Sequence, residues 1–62
     1  MRKRVVTESG KGYVASEHRG RTYVYREHFG GNTEIGSASS LSDALALVEA
    51  DSGEKVREIK NG

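Results

Sequence analysis

Residues 12–30 read GYVASEHRGRTYVYREHFG, and a nine-residue pattern occurs in them twice. The Tyr, Val, Glu, His and Gly of residues 12–20 each recur ten positions later, in residues 22–30. Each copy places β-forming residues before a turn signal that ends in glycine. The repeat therefore predicts two successive antiparallel strands, one per copy, at the centre of the fold.

Further strands are predicted on both sides of the repeat. Residues 2–8 contain a run of β-forming residues that SGKG terminates, and residues 33–37 form a short stretch around Ile35. Residues 55–60 are predicted to be either a short closing strand or a frayed helical turn, because Val56 and Ile59 are three apart and would lie on opposite faces of a strand.

The apolar period changes after Ala38, and a helix is predicted there. Apolar residues recur with helical spacing at Leu41, Ala44, Leu45 and Val48. Ser40 is suited to cap the helix at its start, and Gly53 to end it. Leu45 and Val48 are expected to be buried against the sheet.

These elements predict one domain, 1–62, of the α+β class. The expected fold is an antiparallel β-meander of three to four strands with one α-helix packed across one face, with or without the short C-terminal strand. Residues 1–4 are expected to begin the first strand or to form a flexible basic arm, and residues 61–62 to fray.

The turn HRGR leaves two hairpin registers open. A three-residue loop would pair Glu17 with Arg21 and gather Tyr13, Tyr23 and Tyr25 on one face. A two-residue loop would place Tyr13 opposite Arg26 and split the tyrosines between the faces. The first register is favoured here because it collects the aromatic residues, as core under the helix or as a platform for stacking bases.

Charge is distributed unevenly along the chain. Residues 1–31 hold seven Lys or Arg against three Glu, whereas residues 32–62 hold three against six Asp or Glu. One basic surface is therefore expected. Its candidate nucleic-acid-binding residues are Arg2, Lys3, Arg4, Arg19, Arg21, Arg26 and His28.

Catalytic and metal functions are not indicated. The chain has no Cys, which excludes disulfides and thiolate metal ligands. His18 and His28 end successive antiparallel strands, so they are expected at opposite ends of the sheet, too far apart to share one metal ion. No nucleophile elbow or phosphate-binding loop occurs. The chain is therefore expected not to be an enzyme and to bind no metal or cofactor, and a hydrolytic or metal function at His28 is the most remote alternative.

Two local resemblances involve the helix. Residues 34–45, EIGSASSLSDAL, resemble the sheet-to-helix junction of plant ethylene-response and integrase arm-binding DNA-binding domains at Ile35, Gly36, Asp43 and Ala44. Those families lay a sheet in the major groove of DNA. This chain departs from them at Ala38, where an aromatic residue is usual, and it lacks their Arg/Trp-rich first strands. Residues 40–59 resemble the end of small phage-encoded inhibitors, one of which binds bacterial RNA polymerase. Neither resemblance assigns a role to any residue.

The sequence favours a small cytoplasmic binding module that contacts nucleic acid through its basic hairpin and sheet face. The alternative is a protein-interaction module or small inhibitor that uses the exposed sheet face or an edge strand. No apolar run is long enough for a membrane span, so no membrane partner is expected. A homodimer is compatible with so small a core.

Overall fold

The repeated segment forms the central hairpin of a five-stranded antiparallel sheet. The computed structural model describes all residues 1–62. In chain order the elements are β1 (Arg2–Thr7), β2 (Gly12–His18), β3 (Arg21–His28), β4 (Gly31–Ala38), α1 (Leu41–Ser52) and β5 (Val56–Asn61). The strands lie in the order β4-β3-β2-β1-β5, and α1 packs across one face. The predicted α+β meander is confirmed, and the C-terminal strand is present beside β1.

The favoured register of the central hairpin is wrong. His18 pairs with Arg21, so the loop contains only Arg19 and Gly20, and Tyr13 lies opposite Arg26. Both loop residues have positive φ, 54° at Arg19 and 78° at Gly20. This conformation is typical of a type I′ turn, whose twist matches that of the flanking strands. Because facing residues share a side of the sheet, the tyrosines are split between the two faces.

Both chain ends belong to the sheet. Arg2, Lys3 and Arg4 lie in β1 and pair with β2, so they do not form a flexible arm. Asn61 is the last residue of β5 and pairs with Lys3, and the amide of Gly62 donates to the carbonyl of Arg2. Residues 61–62 are therefore paired with β1, and their fraying in solution stays a prediction.

The helix begins and ends at the predicted residues. The Ser40 hydroxyl accepts a hydrogen bond from the amide of Asp43, which satisfies one of the free N–H groups of the first turn. Gly53 adopts a left-handed conformation with φ 76°, and its amide donates to the carbonyl of Glu49.

The helix and one face of the sheet enclose the main core. Its buried residues are Val5, Tyr13, Ala15, Val24, Ala38, Ala44 and Val48. The burial predicted for Val48 is confirmed, since its side chain is fully buried, but Leu45 is only half-buried at the margin. Ala44 is fully buried, and its small side chain lets the helix approach the strands closely.

The sheet face away from the helix buries two further residues, Val6 and Val14. Neither belongs to the main core, because both lie on the opposite side of the sheet. Val14 stands between Arg4 and Tyr25 in the register. Since no helix covers it, side chains from neighbouring strands must shield it. Long and aromatic side chains therefore lie across this face, which α1 leaves free.

Candidate nucleic-acid interface

The helix-free side of the sheet, called here the open face, is a regular surface that the fold leaves uncovered. Cross-strand pairing assigns its residues, since partners in the register share a face. They are Arg2, Arg4, Val6, Gly12, Val14, Ser16, His18, Arg21, Tyr23, Tyr25, Glu27, Asn32, Glu34, Ser37, Glu58 and Lys60.

Two aromatic rings lie on the open face, on the strand next to the edge strand β4. Tyr23 and Tyr25 are alternate residues of β3, and both are half-buried. Tyr23 lies between Ser16 and Ser37 in the register, so small side chains flank it on both neighbouring strands. The third tyrosine, Tyr13, is instead buried under α1. The open face thus carries a two-ring aromatic surface.

Basic residues lie at one end of this surface. Arg2 shares a cross-strand row with Ser16 and Tyr23, and Arg21 precedes Tyr23 by two residues on the same strand. Arg19 is exposed in the adjoining turn. None of these three arginines forms an ion pair within the protein. Their charges are available to an anionic partner.

Arg21 is held in a defined orientation. Its Nε donates a 2.8 Å hydrogen bond to the hydroxyl of Ser37 on the adjacent strand. This bond uses one donor of the guanidinium and leaves the two terminal nitrogens free. A planar group with two free, fixed donors is suited to bidentate recognition of phosphate.

Arg4, by contrast, is already neutralised. Its Nε and a terminal nitrogen donate to the Glu27 carboxylate at 3.1 and 2.7 Å. The hydrogen bond and charge of Glu27 raise the pKa of Arg4, and the hydrogen bond from Arg4 lowers the pKa of Glu27. The structure thus brings Arg2 and Arg21 to one end of the open face but gives Arg4 an internal partner.

The remaining predicted residues of β1 and β3 face the helix side. Lys3 donates to the side-chain oxygen of Asn61. Arg26 forms two hydrogen bonds, of 2.9 and 3.1 Å, with Asp51 at the end of α1. The expectation that Arg26 lies on a free basic face is therefore wrong. Arg26 instead connects the sheet to the helix.

Asp51 also accepts a 2.6 Å hydrogen bond from the hydroxyl of Tyr13. Burial, followed by this hydrogen bond and the charge of Asp51, raises the pKa of Tyr13 to about 12. The hydrogen bonds from Arg26 and Tyr13 lower the pKa of Asp51. These three residues form an internal network, which is better explained as a stabilising contact of α1 than as a binding site.

The two histidines lie apart. His18 is on the open face opposite Arg21, whereas His28 is on the helix side at the other end of the sheet. Nε2 of His28 lies 2.7 Å from the hydroxyl of Thr33, and Nδ1 lies 3.2 Å from the carbonyl of Phe29. His28 therefore supports the β3–β4 turn rather than the open face. No group of three or more His, Cys, Asp or Glu side chains is placed to hold a metal ion.

Acidic residues limit the basic region to one end of the open face. Glu27 is paired with Arg4, and Glu58 lies 3.8 Å from Lys60 on β5. Glu34 is exposed on the edge strand β4. No carboxylate shares the rows of Arg2 and Arg21, so an anion would be favoured there and repelled further along the sheet.

No protein-family model, curated protein or solved structure matches the chain. None of its helices is long and apolar enough to cross a membrane.

Sequence reasoning missed two features of this surface. The favoured register put Tyr23 and Tyr25 on one face with Tyr13, as core under the helix or as a stacking platform, whereas the structure separates them from Tyr13. Sequence reasoning also overlooked the half-buried Ser16 and the exposed Asn32, whose polar side chains border the rings. The alternation of β3 is the signal that finds these residues, since Tyr23 and Tyr25 have the opposite parity to the apolar Val24.

Proposed function

We propose that the protein is a non-enzymatic module that binds single-stranded nucleic acid through its open face. One observation carries the proposal: Tyr23 and Tyr25 lie half-exposed and adjacent on a helix-free sheet, beside the unpaired arginines Arg2 and Arg21. Aromatic side chains on sheet surfaces stack on unpaired bases, and arginines beside them contact the phosphates.

The position of the rings favours a single strand over a duplex. A base can stack on a tyrosine only when its own face is free, which requires an unpaired nucleotide. The rings lie on the surface of the sheet and not at the tip of a hairpin that could enter a groove. The basic tip, Arg19 and Gly20, adjoins the same end and extends the path for a phosphate backbone.

The charge balance favours moderate affinity. Three unpaired arginines, Arg2, Arg19 and Arg21, lie near Tyr23, whereas the exposed Glu34 faces Tyr25 across the β3–β4 pair and Glu58 lies on β5. A short backbone segment of a few phosphates would match this basic region. Stacking, which does not depend on salt in the way that phosphate contacts do, would supply a large part of the remaining free energy.

Replacement of the rings tests the proposal. Labelled RNA and DNA octanucleotides are titrated at low salt with wild type, Tyr23→Ala, Tyr25→Ala and the matched Tyr→Phe variants. Each base–aromatic stack contributes ~1–3 kcal/mol, so each Ala variant should bind ~5- to 150-fold more weakly. The Phe variants should bind like wild type, because they keep the ring. Ala variants that remain folded and bind as tightly as wild type would contradict the proposal.

A protein partner is the second candidate, and Phe29 favours it. This side chain is fully exposed at the tip of the β3–β4 hairpin, where it contributes nothing to the core. Exposed aromatic residues are frequent anchors of protein interfaces. If Phe29→Ser abolishes capture of a cellular protein and the open-face variants do not, this second function replaces the first.

A further inference from the structure

The open face contains a cleft of about 290 Å³ beside Tyr25. Its lining residues come from β1, β2, β3 and β4, and they are Arg2, Val14, Ser16, Tyr25 and Asn32. Val14 is buried, so it provides an apolar floor between the polar side chains. The volume lies at the low end for ligand sites, which suits one flat group better than a larger molecule.

The polar side chains that line this cleft have no partners within the protein. The guanidinium of Arg2, the hydroxyls of Ser16 and Tyr25 and the amide of Asn32 form no side-chain hydrogen bond or ion pair. They surround an apolar floor and a ring. This combination of unused donors and acceptors around a flat apolar surface is typical of a site that awaits a polar aromatic ligand.

A second cleft, of about 500 Å³, provides the contrast. It is larger, but its polar side chains already have partners: Tyr13 and Arg26 bind Asp51, and Lys11 donates to the carbonyl of Ser52. Its other carboxylate, Glu27, binds Arg4. A ligand there would have to break existing bonds, whereas a ligand beside Tyr25 would not.

We propose that the cleft beside Tyr25 is a subsite that reads one adenine base of the bound strand, with Asn32 as the specificity-determining residue. The proposal rests on the single-strand binding function proposed above and adds a base preference to it. The adenine stacks on Tyr25 above Val14. The Asn32 amide lies at its edge, and Arg2 lies on the opposite side of the cleft toward the phosphates.

The donor and acceptor of the Asn32 amide match one edge of adenine. Its N–H₂ group donates and its carbonyl accepts, and the adjacent N7 and N6 of adenine offer an acceptor and a donor in the matching order. Arg2 offers only donors, which would match N7 and O6 of guanine. Because Arg2 lies at the basic end of the face with Arg21, we assign it to phosphate.

Base discrimination is measured by fluorescence anisotropy with labelled octamers that are all uridine except for one central A, G or C. Wild type is expected to bind the A octamer ~5- to 150-fold tighter than the all-uridine octamer, the range for one good bidentate contact. Asn32→Ala should abolish this preference for the A octamer over the all-uridine octamer. Asn32→Asp should shift the preference to cytosine, whose N4 donates to a carboxylate.

Asn61→Ala is the matched control, because Asn61 lies on the helix side of the sheet. It should keep the adenine preference, and the thermal midpoint of each variant verifies that it is folded. Octamers that bind equally well would overturn the adenine subsite and leave single-strand binding intact. A guanine preference that Arg2→Gln removes would also overturn the role of Asn32. Absence of binding to every octamer would overturn both proposals.

Discussion

Arg4 and Glu27 form an ion pair that passes over β2 at Gly12. Arg4 belongs to β1 and Glu27 to β3, so the strand between them separates the two backbones. A β-carbon at Gly12 would collide with the Glu27 carboxylate and press against the Arg4 guanidinium. The missing side chain of Gly12 therefore allows the pair to form across the open face.

Gly12→Ala is expected to displace the Glu27 carboxylate rather than the backbone, because the atom it meets is the end of a flexible side chain. The pair is partly exposed, so its loss should lower the free energy of unfolding by at most ~1 kcal/mol. In a Glu27→Ala background the same substitution should cost nothing. Chemical denaturation of the four proteins of this cycle measures the coupling. An equal cost in both backgrounds would show that Gly12 serves another purpose.

Glu27→Gln is expected to strengthen nucleic-acid binding, because it releases the charge of Arg4 onto the open face. If Arg4 then contacts one phosphate, the slope of log affinity against log salt should become steeper by about 0.7, the value for one contact with a single strand. Titrations at several salt concentrations measure the slope. Glu17→Gln removes the same charge on the helix side of the sheet and is the matched control. Equal gains in both variants would indicate only a change in net charge.

The architecture was predictable from local patterns, whereas the register was not. The Tyr-Val repeat and the helical spacing after Ser40 each specify an element through its own periodicity. The hairpin register depends on whether Arg19 accepts a positive φ, which is uncommon for residues other than Gly, Asn and Asp. Arg19 does so, with φ 54°. That one turn determines which face carries Tyr23 and Tyr25, and hence the candidate site.

The long-range ion pairs could not be predicted from local sequence patterns either. Nothing near Arg26 in the sequence indicates that Asp51, 25 residues later, binds it, so local patterns predict a free cation there. The pairing of Arg4 with Glu27 likewise requires the order of three strands to be known. Only the structure shows which charged side chains form ion pairs. Around the rings, the unpaired cations are Arg2, Arg19 and Arg21.

Val48→Ala is expected to be more destabilising than Leu45→Ala, although leucine loses more atoms. Val48 is fully buried in the core between α1 and the sheet, whereas Leu45 lies at its margin. Burial of a valine side chain contributes roughly 1.5–3 kcal/mol, a large share of the stability of so small a domain. Thermal and urea unfolding measure both variants, with the exposed Ala46→Ser as control. The reverse order would show that the margin of the core is better packed than its burial indicates.

Stability is expected to fall as the pH decreases from about 4.5 to about 2. The hydroxyl of Thr7, followed by the amide and hydroxyl of Ser9, lowers the pKa of Glu54 to about 2, and Asp51 and Glu27 also have lowered pKa values. A carboxylate whose pKa is lower in the folded state stabilises the fold at pH values above its unfolded pKa. This contribution is lost as the pH falls through the folded-state pKa.

Glu54→Gln isolates one part of this effect. The variant should be less stable than wild type at neutral pH. The difference should shrink between about pH 4.5, where Glu54 of the unfolded chain becomes protonated, and about pH 2, where Glu54 of the folded protein does. Urea unfolding at a series of pH values measures it, with the exposed Glu17→Gln as control. A difference that stays constant down to pH 2 would show that Glu54 stabilises the fold by packing and not by its charge.

The salt dependence of binding is expected to depend on Arg2 and Arg21 together. Both are unpaired, lie on the open face beside Tyr23 and share no row with a carboxylate, so each can displace condensed counterions from a phosphate. Replacement of both by Gln should flatten the slope of log affinity against log salt by about 1.4, or 0.7 for each contact with a single strand. Arg57→Gln, on the edge strand β5, removes an equally exposed charge and should leave the slope unchanged. Equal flattening by Arg57→Gln would mean that the chain attracts nucleic acid through its overall charge and not through the basic end of the open face.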